Sequence, residues 1–460
     1  MDARRPAAGV RRTPGSRAVI EDPSAASQQA VESVLADMAR AGDGDRGVVV
    51  DSPPGAGKTT LVVRAARALT ESGETTMIIA QTNNQVDDLI ERLAAELPDV
   101  PLGRLSAEAY TPPDGVNRLA NVAVDTGIDG LGECRIVLGT AAKWARVRDH
   151  HRRWAIVDEA YQMRSDALLL VAHLFDRGLF VGDPGQLDPF TVVETARWTG
   201  LSYDPRLNAI DVLLAHNEEL PTHRLPVSWR LPASAAPLVS RAFYPFTGFQ
   251  AGTSEGTRRL EFTTRGLRSP LDDTLETARR AGWALHELPA RHTLRTDPQA
   301  AEAAAGLAAR LLTRGAVAVC ERHPDGRPIG PGDIAIGVAH RDQADQIRRA
   351  LAALGVPGIT VDTANRLQGR EFEVVVVVHP LSGRRDATAF HLEAGRLCVL
   401  TSRHRQACIV VARAGITDLL DAYPSTDPIH LNVPVKFPDG WEAHQAVLTQ
   451  LTAHRVSAPD

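Results

Sequence analysis

Lysine is nearly absent: Lys58, Lys143 and Lys436 are the only three in 460 residues, although Lys and Arg together number 51. The surplus of arginine and alanine matches GC-rich coding and carries no functional weight. Cysteine is scarce too, and Cys134, Cys320, Cys398 and Cys408 form no C-x-x-C pair. This excludes a disulfide framework or zinc ribbon and leaves reduced, mostly buried thiols, with a cytoplasmic setting expected. No apolar stretch approaches the ~20 residues of a membrane helix, so no membrane partner is expected. The net charge is −5 at pH 7. Nucleic acid, if bound, must therefore meet a local groove rather than a generally basic surface. The first 22 residues are rich in Arg, Pro and Ala without an apolar core, and are expected to form a disordered tail.

What is present is a long chain with room for two or three full cores. Apolar runs at 48–51, 77–80, 136–139, 155–157 and 179–181 alternate with helical patterns, the rhythm of a parallel sheet wrapped by helices. A second series, at 334–338, 359–361, 374–378 and 408–411, repeats it. The helix after the first run is expected to stop at Gly73. The next, 84–97, should end before Pro98, and Asp297-Pro298 should open a third that Gly315 closes. The expected division is a first α/β domain at 23–215, a second at 216–425, and an extension at 426–460 with an amphipathic helix at 441–454, expected to pack on the second domain rather than bind a partner. The Gly-, Pro- and Asp-rich segment 99–133 reads as an insertion.

Chemistry enters at Val48 to Leu61, V-V-V-D-S-P-P-G-A-G-K-T-T-L, where a strand pattern runs into a glycine turn and Lys58-Thr59. Such a turn lets backbone N–H groups of Pro54-Gly55-Ala56-Gly57-Lys58-Thr59-Thr60 surround phosphate oxygens at a helix N-terminus, Pro54 shaping the turn without an N–H of its own. Lys58 then reaches the β/γ phosphates and Thr59 ligates Mg²⁺. Ser52 stands where the glycine pattern begins. Further on, Trp154-Ala155-Ile156-Val157 ends in Asp158-Glu159. A strand end can aim both carboxylates, Asp158 to Mg²⁺ and Glu159 to the attacking water.

Phe180 to Pro189 reads F-V-G-D-P-G-Q-L-D-P. With it, the chain resembles superfamily 1 helicases, and within them the 5′-to-3′ branch that includes the nonsense-mediated-decay RNA helicase. Ala80 to Leu89 is similar to that branch's strand-contacting segment, and Asp158 to Gln162 matches D-E-A-x-Q. Gly182 to Pro189 matches G-D-x-x-Q-L-x-P, Val361 to Glu371 resembles the segment ending in F-Q-G-R-E, and Arg396 to Arg405 resembles R-L-N-V-A-L-T-R-A-R. The resemblance implies two RecA-like domains with ATP and Mg²⁺ in the cleft between them. It places Gln186 at the γ-phosphate, Arg403 as arginine finger and Arg230 as a second phosphate arginine. It also places Trp229 beside the adenine, Gln28 or Gln29 on the base edge, and Gly369 and Glu371 near the nucleotide. Thr82, Asn83, Thr140 and Thr363 would meet a single strand of DNA or RNA. A monomeric core is implied, with a protein partner able to supply processivity.

The departures are specific. Ser228 replaces the branch's Gln before the Trp229-Arg230 pair, and the glutamines before Ala30 are shifted in spacing. The branch's barrel insertion has no room before Gln28. Lys143 to Trp154, dense in Arg and interleaved with aromatics, is a candidate strand-contacting element or else a solvated helix and loop. Two other functions stay open: a nucleotide-gated clamp that hydrolyses slowly without unwinding, and a small-molecule P-loop kinase, which would leave the second α/β domain unexplained.

Overall fold

The computed structural model describes residues 20–40, 46–187, 189, 207–423 and 440–459. The expected tail therefore lies outside the described residues except for its last three, as do Asp188 and 426–439 of the extension. An eight-stranded, wholly parallel sheet forms the first half. Its order is Val122–Asp125, Leu102–Leu105, Ile136–Thr140, Thr76–Ala80, Arg152–Asp158, Phe175–Gly182, Gly47–Asp51 and Thr222–Arg224. Alternate residues bury opposite faces. Val48, Val50 and Ile78 pack under the helices Pro23–Arg40, Lys58–Glu71 and Asn83–Glu96. Val49, Met77 and Ile79 pack against Trp144, Tyr161 and Leu168. Covering both faces explains why these strands read as continuous apolar runs.

The second half centres on a six-stranded parallel sheet: Thr360–Thr363, Ile334–Val338, Phe372–Val378, His404–Arg413, Trp283–Leu288 and Arg455–Ser457. Beside it lies a small antiparallel sheet of Arg259–Phe262, Ala316–Cys320 and His323–Pro328. The helix caps fall where the residues place them. Asp297 accepts from the Ala300 amide at the start of Pro298–Thr313, and Gly315 takes the left-handed conformation just beyond its end.

Two placements differ from expectation, and a third, the packing of the C-terminal helix on the second domain, follows it. The segment 99–133 is not an insertion that breaks the sheet but its extension, contributing the two parallel strands at one edge. Their four-residue length and the small Gly103, where a Cβ would lie 3.1 Å from Val137, conceal them from periodicity. Thr222–Arg224 pairs with Gly47–Asp51, so the first sheet runs past residue 215. The C-terminal helix Gly440–Thr452 buries Ala443, His444, Val447 and Leu451 in the second core, and Arg455–Ser457 completes that sheet. This extension is thus built into the second domain. Among the described residues no helix is long and apolar enough to cross a membrane.

Candidate nucleotide site and nucleic-acid interface

The phosphate loop leaves the C-terminal end of Gly47–Asp51, between the ends of its neighbours. Ser52 is buried, its N–H donates to Gly182 O at 2.8 Å, and its φ is not positive, so no glycine is required there. Gly55 and Gly57 are left-handed at φ 72° and 89°. Gly57 caps Lys58–Glu71 with no side-chain acceptor, leaving the first-turn amides around Lys58, Thr59 and Thr60 to an anion. At Gly55 a Cβ would lie 2.2 Å from Arg230 Cβ, so the missing side chain is what lets the two halves meet.

Asp158 ends its strand, and Glu159 follows in a left-handed conformation at φ 53° and ψ 45°. For a non-glycine residue this strain aims the side chain. Lys58 Nζ lies 3.1 Å from Asp158 Oδ1 and also pairs with Glu159. Burial opposes the Lys58 charge, but the two carboxylates outweigh it and hold the ammonium above its ordinary pKa. Burial raises the Glu159 carboxyl against the pull of Lys58, with Asp158 and Asp183 adding to the rise. Glu159 Oε2 is buried without a partner, an acceptor free for a water. Among the described residues no cluster of three or more His, Cys, Asp or Glu could hold a metal. Asp158 and the half-buried Thr59 therefore suit Mg²⁺ that brings phosphate oxygens as its other ligands, the usual habit of that ion.

Facing them from the second half are two arginines. Arg230 pairs with Glu371 at 2.7 Å, yet its Nε and Nη1 are buried without partners. Arg403 is fully buried, donates to Val399 O and the Ser402 hydroxyl at 3.1 Å each, and leaves Nη1 unpartnered. Burial, then the charge of Arg230, lowers Arg403 to about 10. Two buried cations with open N–H groups that repel one another make a site for an anion. Burial would raise Glu371, but Arg230 and Arg405 overcome it and hold the carboxyl at about 2. Gly369 is left-handed and exposed, with room for a Cβ, so nothing in its packing ties it to the nucleotide.

Residues that the sequence leaves without a role complete the junction. The Ser228 hydroxyl donates to Pro54 O at 2.6 Å and accepts from the Leu231 amide, while the Trp229 amide donates to Gly55 O. The serine that replaces Gln thus fastens the second half to the phosphate loop. Gln186 Oε1 accepts from Gln368 Nε2 at 2.8 Å, a second bridge between halves. Half-buried Trp229 lies against Gly252. Gln28 and Gln29 are exposed on their helix, and Gln28 donates to Glu32, so the structure leaves the base-reading assignment without a contact to Trp229.

The strand-contact candidates lie at or just beyond the C-terminal ends of strands. Thr82, just beyond the strand Thr76–Ala80, caps Asn83–Glu96, and Thr140, the last residue of the paired strand Ile136–Thr140, caps Ala141–Trp144. Asn83 Oδ1 accepts from the buried Arg104 at 3.0 Å. Thr363 ends its strand at an edge of the second sheet. The basic stretch after Thr140 needs a correction. Trp144 and Trp154 are core residues, and Arg152 is buried, donating to Cys134 O and Arg135 O. Only Arg146, Arg148 and Arg153 are exposed arginines there, and Arg153 pairs with Glu74.

Two family models, each described as an AAA domain, match residues 27–198 and 213–415, a division that falls short of the first sheet's last strand, Thr222–Arg224. Each half of the chain is thus similar to an AAA domain. The DNA replication ATP-dependent helicase/nuclease DNA2 of Bos taurus is 23% identical over 411 residues, 82% of this chain and 36% of that protein. The Xenopus laevis DNA2 helicase/nuclease is likewise 23% identical, over 70% of this chain and 31% of its own. The chain thus spans about a third of the length of the curated relatives it matches. Among solved structures, the Arterivirus nonstructural protein 10 helicase aligns over 84% of this chain and 61% of its own, at a TM-score of 0.43 and 14% identity. Its complex with DNA aligns over 85% and 65%, at 0.43 and 15%.

Proposed function

We propose that this chain couples ATP hydrolysis to movement along single-stranded nucleic acid, with DNA as the first track to test because the DNA2 relatives are named for DNA replication. One observation carries the reading. Lys58 at its helix start and the strand-end carboxylates Asp158 and Glu159 on one side stand with two buried, incompletely partnered arginines on the other. A polyanion bound between the halves would give the open arginine N–H groups partners and compete with the carboxylates for Lys58. In the proposed cycle the γ-phosphate displaces the carboxylates from Lys58, and the freed Glu159 takes a proton from the attacking water. Arg230 and Arg403 would neutralise charge on the transferring phosphoryl group, joining it only when the halves close. Mg²⁺, held by Thr59, Asp158 and the nucleotide, would supply charge neutralisation at the β/γ oxygens. Closure would carry Thr363 relative to Thr82, Asn83 and Thr140, and a strand lying across them would step. The 5′-to-3′ direction follows from the motif resemblance.

Steady-state ATPase rates of wild type and Lys58→Ala, with and without single-stranded DNA or RNA at low salt, test this. Stimulation by one polymer, lost in the variant, is expected and names the track. Turnover indifferent to both polymers would overturn the proposal in favour of a partner-gated clamp.

A further inference from the structure

Tyr244 follows the helix Ala236–Phe243 of the second half, yet its hydroxyl reaches a carboxylate of the first. It donates to Asp183 Oδ1 at 2.6 Å, with both residues almost fully buried. Gly185 permits this approach, since a Cβ there would lie 2.2 Å from Tyr244 Cζ. The same carboxylate organises its own turn: Oδ1 also accepts from the Gly185 amide at 2.8 Å and Oδ2 from Gln186 Nε2 at 2.5 Å. Because Gln186 Oε1 accepts from Gln368, both ends of the Gln186 amide are tied to the second half, one directly and one through Asp183 and Tyr244. Packing follows the same route. Leu187 is buried in the second domain's core, and a Cβ on Gly395 would lie 2.7 Å from Gln186 O. The tyrosine ring is itself held edge-on by Phe249, 5.2 Å between centroids.

Resting on the function proposed above, we propose that Tyr244 is a positioning residue for ATP turnover: its bond to Asp183 makes the Gln186 turn move with the second domain, so that γ-phosphate contact and closure occur together. A hydrogen bond to a buried carboxylate is of the charge-assisted kind, and the carboxylate left behind has no solvent to replace it. Without the hydroxyl, Asp183 keeps Gln186 but loses its hold on the second half.

Tyr244→Phe keeps the ring and removes only the donor. The expected result is a ~10-fold fall in strand-stimulated kcat, with KM for ATP unchanged within about twofold, the signature of an interaction made on the way to the transition state. Combined with Gln186→Ala, it should add nothing to the loss that Gln186→Ala causes alone, because both act through one turn. Independently of turnover, hydrogen exchange at the Gly185 amide without nucleotide should accelerate ~10-fold as the turn loosens. Unchanged kcat, a loss confined to KM, additive losses or unaltered Gly185 exchange would each overturn the proposal. A wild type without strand-stimulated turnover overturns instead the function proposed above, and the exchange measurement still reads the contact.

Discussion

At the scale of single residues, Glu159 combines a strained backbone, a buried carboxylate and an unpartnered oxygen, features that support the general-base role proposed for it. Glu159→Gln should retain ATP binding, measured by equilibrium titration, while turnover falls by ~10²-fold or more. Arg403→Ala should leave nucleotide binding within a few-fold and lower kcat by ~10³-fold or more, since its guanidinium matters only at closure. The replacement most open to misreading is Ser228, because a small hydroxyl in place of an amide looks like a loss. Its hydroxyl instead satisfies the Pro54 carbonyl and the Leu231 amide. Ser228→Ala leaves both buried, at a cost of about 1–3 kcal/mol in thermal or denaturant unfolding, with KM for ATP rising.

Among the elements, the C-terminal helix Gly440–Thr452 carries the clearest pH dependence. His444 is fully buried with neither ring nitrogen partnered, and its ring meets that of His379 edge-on at 5.0 Å between centroids. Burial lowers His444 to about 3 and drives His379 down as well. Below the unfolded value near 6.5, the unfolded chain takes up protons that the folded chain refuses, so stability falls as pH drops. At pH 5 a single such histidine costs about 2 kcal/mol. Melting temperatures should therefore decline steeply from pH 7 to 5, and His444→Phe should flatten that decline. In the segment after Thr140, Arg152 is not available to a strand while Arg146 and Arg148 are exposed. Arg152 braces backbone carbonyls from inside. Arg152→Ala should destabilise the fold by about 1–3 kcal/mol yet leave the salt dependence of nucleic-acid binding unchanged, measured by titration at several salt concentrations.

For the whole molecule, the join between halves is also the site. Ser228 and the Trp229 amide grip the phosphate loop, Gln368 meets Gln186, and Leu225 belongs to the first core while Leu231 belongs to the second. The first unit therefore extends to about residue 225. A fragment spanning 20–225 should melt higher than one spanning 20–215, because the shorter lacks Thr222–Arg224 and Leu225, whose amide donates to Asp51 O. Scanning calorimetry of the two checks it.

Much of this architecture is local in origin and legible as text. The phosphate loop, the Asp158-Glu159 strand end and the paired series of buried strands follow from glycine geometry and from apolar runs covered on both faces. Caps such as Asp297 and Gly315 are likewise written in neighbouring residues. Short edge strands escaped, because four residues around Gly103-Arg104 show no periodicity. The burial of Arg152 and Trp144 escaped because the sequence shows charge and aromaticity, not which side of a sheet receives them. By itself, then, the sequence determined that two parallel sheets would form and that one would end in a phosphate cradle with two carboxylates. Tertiary structure alone decided which residues of the second half close that cradle. Contacts such as Tyr244 with Asp183, or Ser228 with Pro54, join positions 61 and 174 residues apart, and no local propensity encodes which partners such distances bring together.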